Sequence, residues 1–357
     1  MSKSNTPAGL FISFSFVIAI GIGCKPSSVE PEIRGPRIYE WVVDTVAYPG
    51  SIQTLMFSVS GTTMEDVYVV GHCDDIRGQV WRYDGNDWND LLVDATLATD
   101  AVHCFSAESV LIVGGKSFPN PNPPPQYLDS GYVFRYSGAG WSELTSSISR
   151  RLYSLWGRTS EDVWFGGADG TLLHYNGTVL VRDSLPFLID LESENTYQIT
   201  SISGNSGETY VVLSVFNSTL GDNFYLFRNG GLGWAVVDSV FGWRPRIWVS
   251  PIGTVYWAGD GLLVGKPGVW ESVFMDKGIV SAVFGTSDQN VFAAIDDRTS
   301  GDLVGATYHF DGSDWSELDG IRSPGLDMSG GWTDGKGAVV LGYTLGFPQK
   351  TVIFRGK

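Results

Sequence analysis

Basic residues and cysteines are scarce in this 357-residue sequence. Lys and Arg together number 23 against 39 Asp and Glu, which gives a formal net charge of -16. Such a chain repels polyanions, so nucleic acid is excluded as an expected partner. The three cysteines show no CxxC spacing, and only four histidines are present. The residue pattern of a zinc site is therefore missing, and we expect neither a bound metal nor another cofactor.

Charged residues of both signs make up only 17% of the chain, whereas hydrophobic residues make up 43%. That proportion suffices for a large core. The 45 glycines and the 13% aromatic content suit short strands and tight turns, because glycine supplies positive φ and aromatic side chains favour pleated, half-buried surfaces. The composition favours an all-β protein over a helical one.

The first residues have the composition of an export signal. Lys3 is followed by an apolar run over residues 10–22 and by Gly23 directly before Cys24. The run is too short to span a bilayer comfortably. The segment resembles a bacterial lipoprotein signal, in which the cysteine receives the lipid, although Gly21 replaces the usual Leu. The resemblance implies an exported protein, lipid-anchored in the bacterial cell envelope at the outer membrane or cell surface. A secreted form or an uncleaved anchor is the alternative.

The residues after Cys24 read as a tether. Three prolines and alternating charges occupy "KPSSVEPEIRGPR", which predicts an extended segment. We therefore expect a signal peptide over residues 1–23, a lipidated Cys24 and flexible tether over 24–37, and one folded domain over 38–357.

One short strand recurs seven times in that domain. The copies are "MEDVYVVG", "AESVLIVGG", "SEDVWFGG", "GETYVVLS", "GTVYWAGD", "DQNVFAAI" and "GKGAVVLG". Their equivalent positions are Tyr68, Leu111, Trp164, Tyr210, Tyr256, Phe292 and Val339. The intervals between these positions are 43, 53, 46, 46, 36 and 47 residues. A period of roughly 40 to 50 residues is typical of propeller blades.

Each copy is flanked by three further strands, so the unit is a four-stranded sheet. Such a sheet cannot cover both of its faces alone, and seven of them stacked around an axis form a propeller. The last unit ends at its third strand, "TVIFRGK", whereas the N-terminal strand "WVVDTV" nearly repeats part of an outer strand, "VVDSV". We expect a seven-bladed β-propeller whose last blade is closed by the N-terminal strand.

Several framework residues carry a family resemblance. "VLIVGG" ending at Gly115, followed by Tyr136 and Trp141, resembles a kelch repeat, and Gly166 with Gly167 fits the same pattern. The other units depart from the glycine pair and resemble the blades of bacterial exported propellers, with a weaker likeness to the Asp-box turn of sialidases. In kelch repeats the Tyr and Trp pack between blades. The resemblance implies a fold and no activity.

Variable segments predict where function lies. The connections between second and third strands vary most, over residues 116–130, 215–223, 295–305 and 343–349, and they share one face with the blade-to-blade segments 185–197 and 240–246. Loops on a rigid scaffold carry function more often than the framework does. We expect this face to bind a protein or glycan through Phe118, Tyr127, Phe216, Trp243, Arg244, Asp296, Asp297, Arg298 and Phe347.

Two other functions stay open. A carbohydrate-active enzyme, such as a mutarotase, lyase or glycosidase, would need convergent carboxylates or arginines, for which Asp74, Asp75, Asp296, Asp297 and Arg298 are the candidates. A structural subunit of an envelope assembly would need no small ligand. Binding by a monomer is the leading interpretation, and no catalytic residue is assigned.

The remaining histidines and cysteines suggest structural roles. His72-Cys73 and His103-Cys104 lie on neighbouring blades, but adjacent strand residues point to opposite faces and do not easily reach one metal. Two buried thiols are the leading interpretation, and a disulfide between Cys73 and Cys104 is the alternative. His174 and His309 occupy a third-strand position that holds Arg in other units, which indicates scaffold.

Overall fold

The repeated strand is the second strand in each of seven antiparallel sheets. The computed structural model describes Met1 and residues 37–94, 97–122, 127–186 and 195–357. This part of the chain contains strands β1 to β29 and is all β. Within it, no helix has the length and apolar character needed to cross a membrane. The predicted signal, Cys24 and the tether up to residue 36 lie outside the described residues.

The first four blades follow the chain, each from its inner to its outer strand. Blade 1 consists of β2 (Thr54–Thr63), β3 (Asp66–Cys73), β4 (Val80–Tyr83) and β5 (Trp88–Asp90). Blade 2 consists of β6 (Ala98–Ser106), β7 (Ser109–Pro119), β8 (Tyr127–Tyr136) and β9 (Trp141–Ile148). Blade 3 consists of β10 (Leu152–Thr159), β11 (Asp162–Gly167), β12 (Leu172–Tyr175) and β13 (Leu180–Asp183). Blade 4 consists of β14 (Asn195–Gly204), β15 (Thr209–Asn217), β16 (Asn223–Asn229) and β17 (Trp234–Phe241).

The last three blades complete the ring. Blade 5 consists of β18 (Arg246–Val249), β19 (Val255–Gly259), β20 (Gly261–Lys266) and β21 (Val269–Val273). Blade 6 consists of β22 (Gly278–Ser287), β23 (Asn290–Asp297), β24 (Val304–Phe310) and β25 (Trp315–Glu317), with the short β26 (Ser323–Pro324) beside β24. Blade 7 consists of β27 (Leu326–Thr333), β28 (Ala338–Thr344), β29 (Thr351–Gly356) and the N-terminal β1 (Trp41–Val46).

The strand register confirms the alignment of the repeats. Tyr68 pairs with Arg82, Trp164 with His174, and Phe292 with His309. The same cross-strand position holds Arg135, Arg228 and Arg355 in blades 2, 4 and 7 and Val264 in blade 5. The two histidines therefore occupy the framework position that the sequence predicts.

The N-terminal strand closes the ring as predicted. Trp41 pairs with Gly356 and Val46 with Thr351, so β1 is the outer strand of blade 7. Asp44 Oδ2 accepts hydrogen bonds from Arg355 Nε at 2.5 Å and from Trp88 Nε1 of blade 1 at 3.0 Å. The closing strand is thus bound to its own blade and to the next one.

The core is divided into seven hydrophobic clusters, one at each junction of neighbouring blades. Alternate side chains of the second strands enter the two junctions on either side. In β3, Val67 and Val69 face blade 7, whereas Tyr68 and Val70 face blade 2. Such alternation follows from the two-residue period of a strand. The junction of blades 7 and 1 is as continuous as the others, so the apolar core supports closure.

The two faces of the ring differ in their loops. Thr54 at the start of β2 pairs with Cys73 at the end of β3, whereas Thr63 pairs with Asp66. The connections from second to third strands and between blades therefore share one side, which we term the variable-loop face. The uniform turns lie on the other side, the short-loop face. One turn joins Asp84 N to Asp87 O at 3.2 Å.

Some of the predicted loops are strand. Lys116 to Pro119 pair with Ser130 to Tyr127, so most of the segment 116–130 is a hairpin extension of blade 2 and not a loop. Asp296 and Asp297 likewise continue β23 and pair with Gly305 and Val304. Backbone pairing continues through both segments, and the charged residues Lys116, Asp296 and Asp297 within them are buried.

Candidate functional site

A cavity of about 390 Å³ lies where the central channel opens on the variable-loop face. The inner strands of blades 1, 4, 5, 6 and 7 converge there, which is the reason that residues distant in sequence meet. The lining residues are Phe57, Gln198, Thr200, Phe216, Trp243, Pro245, Arg246, Ile279, Val280, Ser281, Asp296, Arg298, Asp327, Met328, Ser329 and Tyr343. We call this cavity the channel mouth.

Two carboxyl groups form the polar centre of the channel mouth. Asp296 is the penultimate residue of β23, Asp327 is the second residue of β27, and their side chains hydrogen bond to each other. Asp296 Oδ1 also accepts the backbone N–H of Met328 at 2.6 Å, and its Oδ2 accepts the hydroxyl of Ser281. The hydroxyl of Tyr343 hydrogen bonds to Asp327. A hydrogen bond between two carboxyl groups needs a proton on one of them, so the pair titrates as a unit.

Burial sets the protonation of this pair. Loss of water raises the pKa of Asp296, and the neighbouring charge of Asp327 raises it further. Burial also raises the pKa of Asp327, against the opposing effects of Tyr343, Asp296 and Arg298. The pair therefore holds its shared proton to a higher pH than exposed aspartates do. Burial and the two carboxylates together raise the pKa of Tyr343 to about 12, so Tyr343 stays a hydrogen-bond donor.

Two arginines face the carboxyl pair. Arg298 is exposed, and its charge acts on Asp327. Arg246 begins β18, and its guanidinium lies in the channel, with Nη1 3.4 Å from the carbonyl oxygen of Thr200. The Arg246 side chain is exposed to the solvent of the channel. The crowding of the surrounding strands still removes part of its bulk water and lowers its pKa, and the charge of Asp100 opposes this effect. A guanidinium remains charged at neutral pH under such conditions.

Aromatic side chains form one wall of the channel mouth. The Trp243 ring is 40% exposed and lies 6.1 Å from Phe216 and 5.7 Å from Phe224, measured between ring centroids. Gly259 permits this arrangement, because a Cβ there would lie 1.9 Å from the carbonyl oxygen of Trp243. The wall offers a flat apolar surface directly beside the charged groups.

The structure brings four of the predicted binding residues together, namely Phe216, Trp243, Asp296 and Arg298. Phe118 and Phe347 are exposed on the same face, but neither lines the cavity. The backbone of Tyr127 pairs with Pro119 in the blade 2 hairpin. The predicted face thus holds one concave site surrounded by projecting apolar residues.

Arg244 and Asp297 differ from the sequence prediction, because both are buried. Arg244 is 5% exposed and donates hydrogen bonds to the backbone carbonyls of Trp257, Asp260 and Gly261. Asp297 is 2% exposed and pairs with Arg322 at 3.0 Å. These two charged side chains hold loops in place and are not free to contact a ligand.

Two of the enzyme candidates have structural roles as well. Asp74 caps the entry to blade 1 by accepting backbone N–H groups of Ile52 and Gln53, which together with the Ser51 hydroxyl lower its pKa to about 2. Asp75 Oδ1 accepts the N–H of Arg77 at 3.2 Å within the next turn. Both carboxylates therefore stabilise loop conformations.

The alternative of a disulfide is not realised, since Cys73 and Cys104 are free thiols. Cys73 pairs with Thr54 at the variable-loop end of β2, whereas the backbone N–H of Cys104 bonds to Ser60 Oγ. Six residues of strand separate Thr54 from Ser60, a distance of about 20 Å. A disulfide needs α carbons within about 7 Å. Across the described residues, no group of three or more His, Cys, Asp or Glu could hold a metal ion.

Arg246, Asp327 and Tyr343 are not among the binding residues selected from the sequence. Arg246 and Tyr343 nevertheless lie in the variable segments 240–246 and 343–349, so their position was a usable signal. For Asp327 the usable signal is a charged residue near the start of an inner strand that otherwise contains mainly apolar and small polar residues. Asp100 in β6 shows the same feature and pairs with Arg151 at 2.8 Å.

Exposed apolar side chains are more numerous on the variable-loop face than on the short-loop face. On the variable-loop face they are Ile52, Ile76, Leu92, Phe118, Leu128, Leu220, Phe241, Trp243, Met275, Leu345 and Phe347. On the short-loop face they are Ile38, which follows Arg37, and the turn residues Val179, Leu232, Ile252 and Val269. Clustered apolar surface on a soluble scaffold marks an interaction site, whereas scattered apolar residues do not.

Comparison with solved structures supports the architecture. YCF48 bound to a D1 peptide has a TM-score of 0.58 and 13% sequence identity, with 91% of this chain and 97% of that chain covered. A polysaccharide lyase of family PL25, an ulvan lyase, has a TM-score of 0.51 and 10% identity over 86% and 95% of the two chains. The tricorn protease has a TM-score of 0.53 and 8% identity, and the match spans 90% of this chain but 35% of that one.

Sequence comparisons add no family. No protein-family model matches the chain, and no curated protein does. Identities this low establish a shared fold alone. The chain is therefore similar to other β-propellers in architecture, and its function has to be argued from its own site.

Proposed function

We propose that this propeller is a recognition module that binds a protein partner on its variable-loop face. The observation that carries the proposal is the unequal distribution of exposed apolar side chains, most of which lie on the face that also holds the aromatic-walled channel mouth. Protein interfaces are rich in aromatic residues at their centre, and Trp243 and Phe216 occupy that position here. The fold likeness to a propeller that binds a peptide supports the same conclusion.

The proposed site of action is the bacterial cell envelope, with a lipid anchor at Cys24. The first described residues support an anchor on the side opposite the binding face. Arg37 Nη2 lies 2.6 Å from both Asp311 and Asp314, in a turn of blade 6 on the short-loop face. A chain that enters the ring there leaves the variable-loop face directed away from the membrane.

Two matched double variants test the proposal. Leu220→Ser with Phe241→Ser removes apolar surface from the variable-loop face, and Ile252→Ser with Val269→Ser removes comparable surface from the short-loop face. All four side chains are between 68% and 76% exposed, so both variants should melt like the wild type. A partner isolated from native envelopes with the wild-type domain should bind the first variant about tenfold more weakly and the second unchanged. Equal loss in both variants, or loss only in the second, contradicts the proposal.

A carbohydrate-active enzyme is the second candidate, and the Asp296–Asp327 pair favours it. A protonated carboxyl beside an ionised one can serve as a general acid and base, and Tyr343 adds a hydrogen-bond donor. Incubation with acidic and neutral polysaccharides, followed by reducing-end or unsaturated-product assays, distinguishes this candidate. Product formation that is lost in Asp296→Asn and Asp327→Asn would establish catalysis, whereas binding alone leaves the polymer intact.

A further inference from the structure

The channel mouth differs in charge from the rest of the protein. Arg246 and Arg298 face Asp296 and Asp327 across one cavity. While the two carboxyl groups share a proton, the cavity holds two guanidinium charges against one carboxylate charge. The whole chain carries a net charge of -16, so the charge of this cavity is opposite in sign to that of the molecule as a whole. Local charge of this kind favours an anionic ligand over a cationic one.

The carboxyl pair is engaged by the protein itself. Asp296 accepts hydrogen bonds from Ser281 and from the backbone of Met328, and Asp327 is bonded to Tyr343 and to Asp296. These contacts use about half of the acceptor sites of the two groups. A cationic ligand would have to compete with them, which makes the pair a poor receptor for an ammonium group.

Arg246, in contrast, has donors to spare. Its one hydrogen bond is the long contact to Thr200, and it forms no ion pair with any described residue. Asp100 acts on its charge, but the carboxylate of Asp100 is held by Arg151 through contacts of 2.8 and 3.0 Å. The guanidinium therefore lines the channel mouth with most of its five N–H groups available to a ligand.

We propose that the channel mouth binds a carboxylate carried by the protein partner, with Arg246 as its direct counterion and Arg298 as the second. A guanidinium matches a carboxylate through two parallel hydrogen bonds, which a point charge does not provide. Trp243 and Phe216 pack against the apolar residues beside that carboxylate. The inference rests on the proposed function, because it names the chemistry by which the partner is recognised.

The carboxyl pair makes this recognition depend on pH. When the shared proton dissociates, the cavity gains a second carboxylate charge, and attraction for an anionic ligand weakens. Arg246, which also faces the cavity, keeps its charge in this range, and Tyr343 remains protonated. Asp100 is paired with Arg151. Burial raises the pKa of Asp100 to about 6, so its charge is constant only at pH values well above 6. The affinity of the channel mouth for a carboxylate ligand should therefore fall as the pH rises from the acidic range.

The test uses fluorescent, end-blocked peptides in which one Glu, Gln or Lys stands between Leu and Phe, with anisotropy as the readout. The Glu peptide should bind the wild-type domain about tenfold more tightly than the Gln peptide at about pH 5.5, the difference expected for a charged hydrogen-bonded pair. Arg246→Gln should abolish that preference, and Arg246→Lys should keep only part of it. Arg182→Gln, an exposed arginine on the outer strand of blade 3, is the matched control and should bind like the wild type.

A second variant isolates the pH effect. Asp327→Asn cannot carry the second negative charge, so its affinity for the Glu peptide should vary less between about pH 5.5 and about pH 8 than that of the wild type. Preference for the Lys peptide, or an unchanged Glu preference in Arg246→Gln, overturns the proposal. If a uronic-acid oligosaccharide binds more tightly than the Glu peptide, the proposal that a protein partner carries the carboxylate is wrong. The apolar double variants leave Arg246 intact, so failure of partner binding and failure of carboxylate recognition give different results.

Discussion

At the scale of single residues, His309 provides a measurable pH dependence. It is fully buried, and its Nε2 lies 2.9 Å from Asn290 Oδ1. Burial, with a smaller effect of Arg37, lowers its pKa from 6.5 to about 4. The folded protein thus binds fewer protons than the unfolded chain between these values. The contribution of His309 to the free energy of unfolding is complete above about pH 6.5 and lost as the pH falls toward 4.

The variant His309→Gln tests that argument. Glutamine can still hydrogen bond to Asn290 but cannot titrate, so the decrease in free energy of unfolding between about pH 7 and about pH 4 should shrink by on the order of 2 kcal/mol. Urea denaturation at several pH values measures it. An identical pH slope in variant and wild type would mean that His309 titrates normally in the folded state.

Residue identities predicted the site only in part. Trp243, Phe216, Asp296 and Arg298 were predictable because they fall in variable segments on one face. Arg244 lies next to Trp243 in sequence, yet its guanidinium is bonded to backbone carbonyls. The burial of Arg244 depends on the conformation of the loop that contains it, which could not be predicted from the sequence alone. Asp327 was missed because inner strands were treated as framework, whereas Arg246 was in the variable segment 240–246 and was not selected there.

At the scale of elements, β1 determines whether the ring closes. Its removal exposes the edge of β29 and leaves Arg355, which is 9% exposed, without Asp44. Deletion of residues 38–47 should therefore lower the melting temperature of the whole domain, in a single transition. Calorimetry of the isolated domain measures the shift.

A deletion on the variable-loop face supplies the control. Removal of residues 118–128 shortens the hairpin of blade 2 symmetrically and leaves the inner part of the β7–β8 pairing intact. This variant should melt close to the wild type. If the variant without residues 38–47 also melts like the wild type, β1 is dispensable and closure does not stabilise the ring.

The strands and their order were more predictable from the sequence than the residues of the candidate site. A strand repeated seven times defines its own alignment, and the missing outer strand at one end matched an additional strand at the other. The exception is the hairpin of blade 2, where "FPNPNPPPQ" concealed the pairing of Phe118 with Leu128. Prolines interrupt strands, but here Pro119 ends one, where its missing N–H is tolerated.

At the scale of the whole molecule, the two faces differ in what they expose. Arg37 contacts Asp311 on the short-loop face, and most of the exposed apolar side chains lie on the opposite face. Inner strands of up to ten residues separate the two faces by about 30 Å. A lipid at Cys24, as proposed, would place the short-loop face nearer to the membrane, although 13 residues of fully extended chain would reach about 45 Å and would permit tilting.

Energy transfer to a membrane dye tests this orientation. Leu220→Cys and Leu232→Cys place a fluorophore on the variable-loop and short-loop faces of the lipidated protein, at side chains that are both well exposed. On vesicles that contain an acceptor lipid, the label at residue 232 should show the higher mean transfer, because its face is nearer to the bilayer. The same labels in a Cys24→Ala protein should show neither membrane binding nor transfer. Higher transfer from residue 220 would mean that the binding face lies against the membrane, where it could not meet a partner in the periplasm or outside the cell.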